Sequence, residues 1–203
     1  MPPRYDGSVP QGVPVTPENV LNELLAGNRR FSTSRPVHPH YDLWRVQAVA
    51  AHQTPAVVVL GCADSRVPPE VIFDQGIGDL FVIRNAGNQA NLEDIASVEY
   101  AVALLKAKVV LVLGHERCGA VTAALQGAEV PGIIEALFFG LRPAMELARQ
   151  QAGDVVAQAV RHNVQVQVQR LLISEVVKKA VAAGNLLVVG GCYDLKTGLV
   201  TLL

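Results

Sequence analysis

Two short stretches of the 203-residue sequence place metal-binding residue types directly after apolar runs. Residues 57–60 are Val-Val-Val-Leu and lead through Gly61 to Cys62, while residues 109–113 lead through Gly114 to His115, with Cys118 three positions later. Cysteine and histidine are typical zinc ligands, and three protein ligands with an open fourth position are typical of a catalytic zinc. The two stretches together predict a zinc site formed by Cys62, His115 and Cys118.

Each of these residues also has an ordinary structural interpretation. A free cysteine at the end of a strand is commonly a small buried hydrophobic residue, and His115 could cap a helix. A structural zinc is a further alternative, but it normally has four protein ligands. The presence of both stretches favours the catalytic metal site.

An acid–base pair follows the first cysteine at close spacing. Asp64 and Arg66 are two residues apart on the same predicted turn. Beside a zinc ion, Asp64 can accept a hydrogen bond from a metal-bound hydroxide while Arg66 keeps the carboxylate ionised and oriented. Without the metal, the pair would be an exposed ion pair of little energetic value.

The two apolar runs predict the elements that position these residues. Both runs are too apolar to face water on either side and are typical of central strands in a parallel sheet. Strands alternating with helices predict an α/β fold with a mainly parallel sheet of about four strands, plus an edge strand over residues 192–203. Ligands collect beyond the carboxyl ends of such strands, where all five residues lie.

The remaining elements are predicted from caps and helical periodicity. Thr16 and Pro17 begin a helix that Gly27 should end, and its leucine stripe lacks an obvious partner in the chain, which favours an arm that clasps a neighbouring subunit. Residues 1–15 are predicted to be a flexible leader and residues 16–203 a single domain. Residues 154–183 predict one long helix, and residues 131–151 a helix interrupted at Gly140 and Pro143.

Composition limits the partners that the chain can have. Half of the residues are hydrophobic and 17 % are charged, which favours apolar surface buried between subunits. The 17 basic and 18 acidic residues argue against nucleic acid, and no run reaches the ~20 apolar residues of a membrane span. With three cysteines and no recognisable signal peptide, we expect a cytoplasmic protein.

The combined motifs resemble the β-class carbonic anhydrases. The resemblance rests on residues 62–66 (Cys-Ala-Asp-Ser-Arg) and 115–119 (His-Glu-Arg-Cys-Gly) and extends from residues 28–31 through 78–81 and 84–88 to the final strands. It implies reversible hydration of carbon dioxide to bicarbonate and a proton, by attack of a zinc-bound hydroxide that Asp64 orients. It also implies one zinc per chain and a homodimer or larger homo-oligomer with active sites at subunit interfaces.

The resemblance also implies a substrate pocket. Its predicted members are Gln53, Phe81, Ala86, Tyr100 and Gly119, with Gln53 and one aromatic serving the neighbouring subunit's zinc. Ala86 stands where a bulkier aliphatic residue is common. Val59 replaces a tryptophan that is typical of the bicarbonate-switched subgroup, so the plant-like, constitutively open subgroup is expected. A pH switch stays open as an alternative, in which Asp64 leaves Arg66 and coordinates the zinc directly at lower pH.

Two alternatives share this scaffold. A related zinc hydrolase acting on CS₂ or COS would use the same ligands and differ in access and pocket size. A non-catalytic binding or scaffolding subunit would be expected to have lost a ligand, Asp64 or Arg66, and all of them are present.

Overall fold

The computed structural model describes residues 15–203, which form an α/β fold around one five-stranded sheet. The strand order is β2-β1-β3-β4-β5; the first four strands are parallel and β5 pairs antiparallel with β4. The strands are β1 (Val57–Cys62), β2 (Leu80–Asn85), β3 (Val109–His115), β4 (Leu187–Tyr193) and β5 (Val200–Leu202). The predicted fold class is confirmed.

Eight helices cover the faces and ends of this sheet in the described part of the chain. They are α1 (Pro17–Ser32), α2 (Leu43–Val49), α3 (Pro69–Ile72), α4 (Leu92–Ala103), α5 (Gly119–Gln126), α6 (Ala136–Arg149), α7 (Val155–Ile173) and α8 (Glu175–Ala182). None of the helices in residues 15–203 has both the length and the apolarity that a bilayer crossing requires.

The two apolar runs are the central strands of the sheet. Every residue of β1 and β3 is buried, because helices pack on both faces. The register pairs Gly61 of β1 with Leu113 of β3, and Cys62 with Asn85 of β2. The parallel register therefore brings the residues after β1, β2 and β3 to the same edge of the sheet.

Helix α1 differs from its prediction in length and in packing. Thr16 caps it as predicted, accepting a hydrogen bond from the Asn19 amide, but the helix continues past Gly27 to Ser32. A Cβ on Gly27 would collide with the Phe73 carbonyl, so this glycine permits close packing instead of ending the helix. Leu24 is 2 % exposed and packs in the chain's own core, so the helix has a partner within its own subunit.

Three other boundaries also differ from the predictions. Helix α6 runs through Gly140 and Pro143 without interruption. The predicted long helix is two helices, because Ser174 ends α7 and caps α8 by accepting from the Val177 amide. Cys192 belongs to the core strand β4, and the edge strand is limited to Val200–Leu202. The predicted leader falls almost entirely on residues 1–14, which lie outside the described residues.

Candidate active site

Three potential ligand atoms meet at the carboxyl edge of the sheet. Cys62 ends β1, His115 ends β3 and Cys118 precedes the first turn of α5, and their ligand atoms lie within 4.8 Å of one another. The two sulfur atoms are 3.9 Å apart. Two zinc–sulfur bonds of about 2.3 Å at a tetrahedral angle would place them roughly 3.8 Å apart, so the thiol spacing fits a zinc ion.

One ring nitrogen of His115 is hydrogen-bonded to the backbone, and the other has no hydrogen-bond partner among the described residues. Its Nδ1 donates to the Glu116 carbonyl oxygen at 2.9 Å, which leaves the lone pair on Nε2. The side chain is completely buried, and Nε2 has no hydrogen-bond partner among the described residues. An unsatisfied buried nitrogen is costly, and a metal ion between Nε2 and the two thiols would satisfy it.

The two thiols influence each other in the buried cluster. A hydrogen bond from the Cys118 thiol lowers the pKa of Cys62, with smaller contributions from His115 and from the Gly87 and Asp64 amides, while burial acts in the opposite direction. The same thiol pair raises the pKa of Cys118. Because the thiolate is the form that binds a metal, the hydrogen bond from Cys118 favours the metal-binding form of Cys62. A metal ion bound here would displace the proton of Cys118.

Asp64 lies beside this cluster and is held by Arg66. The Arg66 Nε and Nη2 atoms donate to the two carboxylate oxygens at 2.9 and 2.7 Å, and the Arg66 amide adds a bond of 2.9 Å. These hydrogen bonds hold the pKa of Asp64 well below its usual range. Asp64 Oδ2 lies 3.8 Å from His115 Nε2, so an ionised carboxylate faces the position that the three ligand atoms enclose.

Residues of β2 and of the loop after it hold the segment from Cys62 to Asp64 in place by hydrogen bonds. Arg84 donates from Nε to the Cys62 carbonyl at 2.9 Å and from Nη2 to the Asp64 carbonyl at 2.7 Å. The Gly87 amide donates to Cys62 Sγ at 3.4 Å. These hydrogen bonds could not be predicted from residue spacing, because they depend on the register between β1 and β2.

Comparison with known proteins identifies the family. The family model described as carbonic anhydrase matches residues 57–200. Carbonic anhydrase 2 of Mycobacterium tuberculosis is 37 % identical over 94 % of this chain and 93 % of its own length. The carbonic anhydrase of Mycolicibacterium smegmatis is 37 % identical over 96 % of this chain and 95 % of its own length.

Solved structures specify the class. The β-carbonic anhydrase of Coccomyxa has a TM-score of 0.70 and 32 % identity, covering 90 % of this chain and 86 % of its own. The chain belongs to the β-class carbonic anhydrases. One of two tetrameric β-carbonic anhydrases from Sordaria macrospora also matches, with a TM-score of 0.73 and 26 % identity over 91 % of this chain and 97 % of its own.

The protein is thus a carbonic anhydrase, a lyase that hydrates carbon dioxide, in a zinc-dependent family. Two predicted pocket residues of this carbonic anhydrase lie beside the ligand cluster. Ala86 directly follows Asn85, whose partner in the register is Cys62. Gly119 directly follows Cys118, and a Cβ on it would meet none of the described atoms within 4 Å. Gly119 therefore leaves space next to Cys118.

The other three predicted pocket residues lie at the opposite edge of the sheet. Gln53 is exposed and precedes β1, and together with Tyr100 it lines an open groove of about 440 Å³. Phe81, near the start of β2, stacks on Tyr100 with ring centroids 6.2 Å apart. Cys62 is the last residue of β1, so five residues, roughly 17 Å of strand, separate it from the groove in the same chain.

A set of buried amides that contacts the loop after β2 was not predicted from the sequence. Asn163 and Gln167 of α7 are 1 % and 0 % exposed and hydrogen-bond to Gly87 and Ala90. Their spacing of four residues within the buried stripe of α7 (Ala159, Val160, Val164, Leu171) is the signal that could have identified them.

Proposed function

We propose that Cys62, His115 and Cys118 hold one zinc ion per chain and that Asp64 and Arg66 orient the water that attacks carbon dioxide. The observation that carries this proposal is the unpartnered, buried Nε2 of His115, which faces two thiols and an ionised carboxylate. A zinc ion bound there would supply a Lewis acid that makes water nucleophilic near neutral pH.

Asp64 would orient the attacking water by accepting a hydrogen bond from it. With both oxygens accepting from Arg66, the carboxylate stays ionised and keeps its remaining lone pairs for a hydrogen bond from the attacking water. Because an ionised carboxylate can only accept, a water that donates to Asp64 turns its own lone pair away from it. Arg66 in turn is a positioning residue, anchored also to the Arg117 carbonyl at 3.4 Å.

The same contacts support the constitutively open form. Asp64 is retained by three hydrogen bonds from Arg66, and leaving them for the metal would abandon a bidentate pair. Val59 is completely buried in β1, at the position where the switched subgroup is expected to carry a tryptophan. We therefore propose that a zinc ion held here would keep water as its fourth ligand, as in the open subgroup.

We further propose that a second copy of the chain completes the substrate pocket. Gln53, Phe81 and Tyr100 lie too far from the ligand cluster of their own chain to line one small pocket with Ala86 and Gly119. A homo-oligomer that places the groove of one subunit over the cluster of another would bring them together. The matched Sordaria macrospora enzymes are described as tetrameric, which supports assembly.

The deciding experiment measures zinc content and turnover on one sample. Stopped-flow carbon dioxide hydration from about pH 6.5 to 9 brackets the pKa of about 7 that is typical of zinc-bound water in carbonic anhydrases whose metal has three histidine ligands. We expect about one zinc per chain and rapid turnover that rises with pH. Zinc without turnover at any pH would contradict the open form, and protein without zinc would contradict the ligand assignment.

A further inference from the structure

The loop after β2 contacts the metal cluster through one backbone amide. Gly87 N–H donates to Cys62 Sγ at 3.4 Å, and Gly87 is buried with φ at +85°. Left-handed backbone of this kind is accessible to glycine at little cost. The direction of this N–H therefore depends on how the peptide groups on both sides of Gly87 are held.

Both flanking carbonyls are held by side-chain amides. Gln89 Nε2 donates to the Ala86 carbonyl at 3.1 Å, in the same peptide group as the Gly87 amide. Asn163 Nδ2 donates to the Gly87 carbonyl at 2.8 Å. Gly140 leaves room for this arrangement, since a Cβ there would collide with Gln89 Oε1. The peptide groups around Gly87 are thus fixed in orientation from α6 and α7.

Gln167 holds Asn163 in the required orientation. Its Nε2 donates to Asn163 Oδ1 at 2.9 Å, and its Oε1 accepts from the Ala90 amide at 2.9 Å. With Oδ1 occupied in this way, Asn163 must present its NH₂ group to the Gly87 carbonyl. The two side-chain amides therefore connect α7 by hydrogen bonds to both ends of the loop, at residues 87 and 90.

We propose that Asn163, supported by Gln167, is a positioning residue that sets the hydrogen bond from Gly87 to Cys62 Sγ and so the donor strength of this thiolate toward a bound metal. An N–H donor at a ligating sulfur withdraws electron density from it and fixes its orientation. The inference rests on the proposed metal centre, because it requires Cys62 to be a ligand.

The test is cobalt substitution, which gives a spectroscopic readout that does not depend on turnover. Asn163→Leu keeps the approximate shape of the side chain and removes its donor to Gly87. We expect the thiolate-to-cobalt charge-transfer band to move to longer wavelength, because the sulfur becomes more electron-rich. Zinc affinity, measured by chelator competition, should fall about tenfold, the lower end for groups that orient metal ligands, because the lost orientation of Cys62 outweighs the stronger donation by its sulfur. Gln167→Leu should shift the band in the same direction by less.

A matched control separates positioning from stability. Leu171 is fully buried on the same helix, one turn beyond Gln167, and packs in a different core cluster from Cys62 and Cys118. Leu171→Ala should lower the melting temperature while leaving the band and the zinc affinity unchanged. An unchanged band in folded Asn163→Leu, or an equal shift in Leu171→Ala, would overturn the inference. Absence of a thiolate–cobalt band in the unaltered protein would instead overturn the metal centre.

Discussion

The two edges of the central sheet differ in how complete they are within one chain. At the carboxyl edge, Cys62, His115 and Cys118 are buried and their ligand atoms converge within 4.8 Å. At the amino edge, Gln53 is exposed and Tyr100 is 46 % exposed along an open groove. The proposed metal-binding half of the site is therefore assembled within a single subunit, whereas the proposed substrate-binding residues of the same subunit lie away from it.

This difference follows from what each edge must do. A metal site needs ligand positions fixed to a few tenths of an ångström, which adjacent parallel strands of one sheet supply through their register. A pocket wall needs only shape and a few polar groups, and these can come from a second surface. The difference predicts that changes at the carboxyl edge act within one subunit, while changes at the amino edge act on a neighbour.

The largest effect is expected from Cys118→Ser. A neutral hydroxyl replaces a thiolate ligand, so zinc affinity should fall by more than about a hundredfold, the upper end for groups that only orient ligands. Zinc content after dialysis measures this, and activity should follow the metal. Cys192→Ser is the control, because burial raises the pKa of the Cys192 thiol to about 11 and it lies outside the ligand cluster. Equal zinc loss in both variants would contradict the assignment.

A smaller but specific effect is expected from Asp64→Asn. The amide can donate as well as accept, so it no longer dictates the orientation of the attacking water. We expect kcat/KM to fall by about 10²–10⁴-fold, in the range of acid–base assistance by one side chain, while zinc stays bound. Glu116→Gln, between the ligands in sequence, should change kcat/KM less than threefold, roughly the ±0.5 kcal/mol typical of surface changes. Full activity of Asp64→Asn would show that the carboxylate has no role.

Subunit mixing tests the amino edge directly. Gln53→Ala combined with Tyr100→Ala should reduce kcat/KM about thirtyfold, since two lost polar contacts cost about 1 kcal/mol each. Co-expression with the zinc-free Cys118→Ser chain should restore activity. In a mixed dimer, the intact groove of the Cys118→Ser subunit would cover the intact metal site of its partner. If the groove served its own chain, every site would carry a defect and mixing would restore nothing.

The convergence of Cys62, His115 and Cys118 was predictable from the sequence because the information that places them is local. Each lies at the end of an apolar strand or shortly after it, and parallel strands bring their carboxyl ends to one edge whatever the remaining chain does. The pairing of Asp64 with Arg66 is equally local, since the two are two residues apart. The fold class follows from the same alternation of strands and helices.

What could not be predicted depends on contacts between distant segments. The prediction that Gly27 ends α1 is wrong because its close approach to Phe73 is a tertiary feature, invisible in propensity. The contact of Arg84 with the Cys62–Asp64 turn requires the register of β1 and β2. The hydrogen bonds from Gln167 to Asn163 and from Asn163 to Gly87 require the packing of α7 against the loop after β2.

The smallest effect is expected at Trp44, and it is the most selective test of the open edge. Trp44 is 79 % exposed on α2, a helix that buries none of its residues and leads into the groove. In an isolated subunit Trp44→Ser should change stability by no more than about 0.5 kcal/mol. If a second subunit covers this edge, the same change should raise the dissociation constant of the oligomer about tenfold or more, because buried tryptophans are typical interface anchors. Sedimentation over a dilution series measures this.

The control is Ile133→Ser, at an even more exposed position outside the groove, which should leave assembly unchanged. Equal effects of the two substitutions would mean that the groove face is not the interface.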